Sequence, residues 1–401
     1  MTTELARRIA ITIGALLVYR LGTHIPISGV WPWQAAPLQS AVPSQSMFSL
    51  GLIPYLSAAV LIRLLTLAWK RLSSIERSGE RGRNRIARYT LILTLLLATF
   101  QAYGIASTVQ RISPAAFESS DWLVVSATAS MVGGLFFLIW LSEQITRHGL
   151  GNGLALILSV GILIDLPHEV AIILMLMRSG AVSGSAVLAH AGLWVALVAA
   201  IAFVESARRN VPVQFAERRI GERVLVSHAA VLPIKINSAG SMVPFMVSPW
   251  MISLPLFFAG LVFGANTPWF DTVYANVGFG RPAHLVLGSI AIFVLAFVYT
   301  AYVVDPDHTS DSLVRQGGVI PGVMPGEATA GYLDNVVSLT TFLGAVYLTA
   351  ISLIPEVFFA FENGLHYKMG GGAALIVVCT ILDLQTQVRE TSRANPGGVR
   401  R

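Results

Sequence analysis

Groups able to do chemistry are sparse in this chain. Its eight His are scattered, at no spacing that suits a shared metal ion. The one cysteine, Cys379, lies inside an apolar run, so there is no disulfide within the chain and no CxxC redox or zinc pair. A GxxxxGKS/T phosphate loop and an HExxH zinc motif are both absent. Glu143, Asp165, Glu205 and Asp383 are expected in the last turns of apolar runs. Ion-coupled carriers usually hold an ionisable group at the bilayer midplane, so these placements speak against one. His190, within an apolar run, reads as a packed or hydrogen-bonded residue. Arg63 is the one cation well inside a span. Either it snorkels about 10 Å toward Lys70, or it marks a face turned to water or a helix seam. No metal, cofactor or catalytic group is expected, and the chain is not expected to be an enzyme.

What the sequence offers instead is charge in blocks. Between Lys70 and Arg88 stand seven cations against two acids, and between 208 and 235 stand six more. Such blocks need elements to carry them. Only 12% of residues are charged and 54% are hydrophobic, with mean hydropathy +0.68. A soluble chain carries about 25% charged residues, so the composition indicates a multi-span membrane protein. A crossing helix needs about 20 apolar residues. Ten candidates satisfy this: 7–24, 51–69, 87–109, 121–145, 152–175, 184–205, 237–264, 283–304, 336–360 and 371–389. The first is followed by His24-Ile25-Pro26 rather than a small-x-small cleavage site, so it reads as a retained span.

With the N-terminus cytoplasmic, ten spans place 21 of the 27 Lys and Arg on the cytoplasmic side. That asymmetry is the positive-inside rule, and it supports ten. The chain divides near residue 180 into halves of five spans, 1–180 and 181–401. The odd number makes the second half inverted, a plan common in proteins that open a path at the midplane. Span five opens on Gly151-Asn152-Gly153 and span ten on Gly370-Gly371-Gly372, a local echo. Residues 25–47 form an external loop broken by Pro26, Pro32, Pro37 and Pro43. Residues 208–236 and 305–335 are long cytoplasmic segments, the first basic, the second acidic and rich in Gly and Pro. Turn-rich loops of this kind suit docking.

Several blocks resemble the bacterial SecY family, the channel subunit of the protein-translocation machinery. They are Val18-Tyr19-Arg20-Leu21-Gly22-Thr23-His24-Ile25-Pro26, Gly51-Leu52-Ile53-Pro54-Tyr55-Leu56-Ser57-Ala58 and Trp140 to Thr146 through Gly149 to Gly153. Leu232 to Gly240 and Ile320 to Glu327 follow, in the family's order from end to end. The resemblance implies an all-α membrane protein whose ten helices form a clamshell around a central pore, hinged near 178–186. It implies a lateral gate near Ser57 and Arg63, where the family typically has Gln at the latter position. It further implies a pore ring of Leu52, Leu56, Leu154, Leu158, Met246 and Ile376. An apolar collar of this kind blocks ions by dewetting and still closes around a passing peptide.

The expected activity is passive passage of secretory polypeptides across, and membrane proteins laterally into, the bacterial inner membrane. Implied partners are SecE-like and SecG-like subunits, a SecA motor or the ribosome, signal sequences, unfolded polypeptides and membrane lipid. Arg208, Arg209, Arg218, Arg219, Arg223 and Met324 are the docking candidates. This chain departs from the pattern in two places. The plug segment 28–47 is short and proline-broken, and Met324 stands where the family motif normally has Arg. Those departures allow a divergent or accessory member. A secondary transporter with inverted repeats and a non-conducting SecY-like scaffold are the competing functions.

Overall fold

The computed structural model describes residues 3–27, 46–112, 121–215, 218–220, 223–225, 229–240, 243–244, 268–277, 281–361 and 370–393. Twelve helices and five short strands occur among them. Seven helices are long and apolar enough to cross a membrane, and an eighth span results if one bent pair is counted as a unit. The first expected span falls on α1 (Thr3–Gly22), a 20-residue helix that carries Glu4, Arg7, Arg8 and Arg20 and is not one of these seven. Expected span 237–264 lies largely outside the described residues. The chain forms two compact units, residues 1–164 with 380–401, and residues 165–379.

In the first unit, α5 (Asp121–His148) is the central helix. Ala127, Met131, Leu135 and Leu138 recur every three or four residues along it, and all are fully buried. Ala98, Ala102 and Ala106 make a matching small-residue stripe on α4 (Glu80–Ile112). Small side chains let two helix backbones approach closely where lipid supplies no hydrophobic drive. α2 (Ile53–Ala68) and α3 (Lys70–Arg77) meet at a break around Trp69, bent by 108°. α6 (Gly153–Arg178) contributes its first half to this unit.

α6 runs through Pro167 to Arg178, beyond the end read from hydropathy. Asp165 therefore sits near its middle, not in its last turns. Asp383 likewise stands near the middle of α12 (Gly371–Arg393). Apolar residues resume at Val170 after Asp165, whereas α12 continues past Asp383 as a polar stretch to Arg393, so neither helix ends where the charge does.

The second unit contains α7 (Gly184–Ser206), α8 (Pro268–Val277), α9 (Pro282–Val303) and α11 (Glu327–Phe361). Ser183 caps α7 by accepting the Ala186 N–H at 3.2 Å. Leu188, Val195 and Phe203 lie 71–78% exposed along α7, a surface suited to lipid rather than water.

The unit also carries a small lobe that the hydropathy pattern had reduced to loops. β1 (Arg208–Phe215) pairs antiparallel with β4 (Ala229–Lys235) and with β5 (Gly318–Val319), in the order β4-β1-β5. β2 (Arg218–Ile220) pairs with β3 (Arg223–Leu225), nested in sequence between β1 and β4. α10 (Pro306–Gln316) completes the lobe. Asp305 caps it by accepting the His308 N–H at 3.0 Å, Pro306 opens it, and Gly317 ends it at φ 75°. The segments 208–236 and 305–335 thus share one core of Val211, Val213, Leu313, Ile320 and Leu333. Burying each such side chain contributes about 1.5–3 kcal/mol.

Candidate functional site

The five described ring candidates all stand at the starts of helices. Leu52 is the N-cap residue of α2 and Leu56 lies one turn on. Its N–H bonds the Leu52 carbonyl at 3.0 Å. Both are buried. Leu154 and Leu158 occupy the first two turns of α6 and pack, half-buried, on the core of the first unit. Ile376 is buried in the second turn of α12. Met246 lies outside the described residues. What fixes these helix starts therefore fixes the candidates.

The first start is seated by aromatic packing. Phe48 stacks between Tyr19 and Phe137, with ring centroids 6.1 and 5.9 Å away. It fits because residue 22 is glycine; a Cβ there would lie 1.9 Å from the Phe48 ring. The Met47 carbonyl similarly rests on Gly134, where a Cβ would lie 2.2 Å away. Ser49 donates to the Met131 sulfur at 3.4 Å. Gly51 turns the chain at φ 58°, and Pro54 in the first helical turn sets the direction of α2. Just before this seat, Pro26 and Ser46 form an antiparallel bridge, and the Met47 N–H donates to the Ile25 carbonyl at 3.0 Å. The candidate plug, apart from Ser46 and Met47, lies outside the described residues.

The start of α6 is held by a polar net. The Leu150 N–H donates to Thr12 Oγ1 at 2.9 Å and the Gly151 N–H to Gln387 Oε1 at 2.8 Å. The Gly153 N–H donates to Thr146 Oγ1 at 2.9 Å, and Asn152 Oδ1 accepts from Leu154 at 3.0 Å. Beneath the net, Gly153 lies against the Ser142 carbonyl so closely that a Cβ would sit 2.0 Å from its oxygen. Ser159 donates to Thr380 Oγ1 at 2.9 Å in the same unit.

At α12 the same close approach recurs with another partner. A Cβ on Gly371 would lie 1.8 Å from the Ile351 carbonyl oxygen. That oxygen is four residues before Pro355, which has no N–H to give it. The start of α12 therefore settles on a carbonyl that residue 355 cannot bond.

Of the gate candidates, Ser57 is fully buried and its hydroxyl donates to the Ile53 carbonyl of its own helix. Arg63 reaches across the α2–α3 bend to Glu76, Nη1 to Oε1 3.5 Å. That acid was not singled out by sequence, because the bend that brings it back is not a composition signal.

Arg208 and Arg209 begin β1 and are exposed, Arg208 opposite Lys235 and Arg209 opposite Ile234. Arg218 and Arg219 lie in β2, and Arg223 in β3 pairs with Ile220. Met324 is 80% exposed on the turn between β5 and α11. That turn is pinned by Ser310 to the Gly326 carbonyl and by Thr329 to the Met324 carbonyl, both 2.8 Å. Asp305, Asp307, Asp311, Glu327 and Asp334 are exposed on the same lobe. Among the described residues no group of His, Cys, Asp and Glu is arranged to hold a metal ion.

The protein-family model SecY matches residues 46–385. The protein translocase subunit SecY of Escherichia coli (strain K12) is 36% identical over 415 residues, covering 96% of this chain and 91% of that protein. Its counterpart in Vibrio cholerae serotype O1 is 35% identical over 409 residues, with the same coverage of each. The fold superposes with TM-score 0.73 on a SecY protein whose plug domain stabilises the closed state of its translocation channel. Identity there is 16%, over 100% of this chain and 96% of that one. Sec61 in the canine ribosome-channel complex gives TM-score 0.68 at 15% identity, with the same coverage of each chain.

Proposed function

Because the chain belongs to the SecY family, we propose that it is the channel subunit of a protein translocase, a passive conduit for polypeptide rather than an enzyme. The observation that carries this reading is end-to-end similarity to translocase subunits, 36% identity over 96% of the chain.

The ring is assigned to Leu52, Leu56, Leu154, Leu158, Met246 and Ile376. Its support is the way packing, a polar net and a bare carbonyl each fix a helix start that bears these side chains. Apolar side chains offer ions nothing in place of their hydration shell, so the collar excludes them. Ser57 and Arg63 are assigned to the lateral gate. The Arg63–Glu76 pair would hold its edge loosely, since an exposed pair contributes under about 1 kcal/mol.

The basic strands at Arg208, Arg209, Arg218, Arg219 and Arg223 would meet a phosphate-rich or acidic partner, the ribosome foremost. The Sec61 neighbour in a ribosome complex supports that choice. SecE-like and SecG-like subunits and a SecA motor are the further partners. The bacterial inner membrane, with both termini cytoplasmic, is the proposed location, on the strength of the Lys and Arg asymmetry. The halves 1–180 and 181–401 are proposed as inverted repeats, supported by the glycine–carbonyl contact at both α6 and α12. Segment 28–47 is proposed as a reduced plug, which leaves more of the seal to the ring.

A stalled secretory chain with photoreactive groups placed at residues 52, 154 and 376 tests the channel. Adducts are expected at all three and not at exposed Val195 on α7. Equal labelling at Val195, or none at the ring, would overturn it. Met324 in place of Arg favours a second reading, an accessory translocase with altered motor use. Full rescue of secretion in a strain depleted of its own channel would exclude that reading.

A further inference from the structure

Glu205 and Asn237 belong neither to the ring nor to the docking candidates. β1 opens at Arg208 and β4 ends at Lys235, and these two residues face each other across the ladder. The pairing does not stop there. One step nearer the helices, the Ile236 N–H donates to the Ala207 carbonyl at 3.5 Å. Beyond that, Asn237 Nδ2 donates to Glu205 Oε1 at 2.6 Å. Glu205 stands in the last turn of α7. Asn237 opens the expected span 237–264, among its described residues 237–240 and 243–244. The ladder of the lobe thus continues into a helix end on one side and a span entry on the other.

The Asn237 amide is used at both of its atoms. Oδ1 accepts the Gly240 N–H at 3.0 Å, in a turn that Gly240 completes at φ 67°. Ser238 Oγ donates to the Lys235 carbonyl at 3.0 Å. Asn237 and Ala239 are each 4% exposed, and Val243 is fully buried. The Ile236 carbonyl lies against Gly344 of α11, where a Cβ would come within 2.8 Å of its oxygen. Tyr347 of α11 and Cys379 of α12 also face the Glu205 carboxyl. An amide fork joins donor and acceptor in one side chain, and a buried amide that loses a partner is costly.

We propose that Glu205 is a positioning residue, which closes the β1–β4 ladder against α7 and, through Asn237, makes the docking lobe and the entry of the expected seventh span one rigid piece. Without this bond the lobe would meet the helices through a joint that bends, and its motion would be absorbed there. With the bond, a displacement of β1 and β4 is passed to residues 236–244 through contiguous packed groups. The inference rests on the docking reading only for what moves the lobe.

The test is a mutant cycle read by hydrogen–deuterium exchange of the full chain in lipid nanodiscs. Val213→Ala loosens the lobe core. It should speed exchange about tenfold at 208–215 and 229–235, and 236–244 should follow. Glu205→Leu should by itself speed 236–244 about tenfold. Adding Val213→Ala to it should then speed the lobe but not 236–244 further. Glu205→Gln keeps an acceptor for Asn237 and should behave as wild type. A role confined to local stability predicts additive effects at 236–244. Additivity, a Val213→Ala response that stays within the lobe, or Gln matching Leu would each overturn the proposal. If Glu205→Leu fails to fold, Val213→Ala in the wild-type and Glu205→Gln backgrounds still decides, because 236–244 must follow the lobe in both. Added non-translating bacterial ribosomes should change protection at 236–244 in wild type and, at equal occupancy, not in Glu205→Leu. Ribosomes that fail to bind would overturn the docking reading alone, and the mutant cycle still decides the ladder.

Discussion

The starts of α6 and α12 meet one demand in two ways. In each, a glycine lies on a carbonyl of a preceding helix, Gly153 on Ser142 and Gly371 on Ile351, where a Cβ would come within 2.0 and 1.8 Å of the oxygen. At α6 the fit is reinforced by Thr12, Thr146, Asn152 and Gln387. At α12 the first residues are Gly370-Gly371-Gly372, with no side chain to help; Ala373 and Ala374 turn back only onto the Gly370 carbonyl. The carbonyl that Gly371 lies on is the one that Pro355, having no N–H, cannot bond. The difference teaches that the close backbone approach is common to both starts, while among the described residues the polar net is found at α6.

The sharpest break of that comparison is a methyl group. Gly371→Ala and Gly153→Ala each drive a Cβ into backbone, which cannot yield as a side-chain tip can. Each should cost about 3 kcal/mol or more, read as a collapse of thermal stability in detergent. A mild loss at residue 153 alone would mean that the polar net, not the contact, sets that start.

Pro355→Ala should have the next largest effect. It returns an N–H to the Ile351 carbonyl and so competes for the acceptor that Gly371 touches. Faster amide exchange at 371–376, with α6 unaffected, is expected. No change would mean that the bare carbonyl is incidental.

Asn152→Ala removes an N-cap and should cost about 1 kcal/mol. The smallest change is Gln387→Leu, about 0.5–1.5 kcal/mol for one hydrogen bond to Gly151. Thermal melts of the two variants and of their double mutant would show whether the net acts as a unit. Coupling well beyond the sum would sharpen the contrast with α12.

Much of the helical plan was legible because a membrane span announces itself by length and apolarity. The helix starts were half legible. The echo of glycines at 151–153 and 370–372 is visible in sequence, but its reason is not. The touching carbonyls belong to residues 142 and 351, and no local pattern links them. The lobe was missed although the signal was present: Val211, Val213 and Phe215 alternate, as a half-buried strand must. The cations of 208–235 masked that alternation. Asp305-Pro306 was likewise a helix opening, overlooked among the glycines of 317–326. The Glu205–Asn237 contact joins residues 32 positions apart, and only the folded ladder reveals such a pair.

The bridge between Pro26 and Ser46 carries a separate consequence. It closes the chain on either side of residues 27–45, directly ahead of the aromatic seat that sets Leu52. Doubling the length of a flexible loop costs only about 0.6 kcal/mol in closure entropy. A change of length between Ile27 and Ser46 therefore costs little while the bridge holds the end of α1 beside the approach to α2.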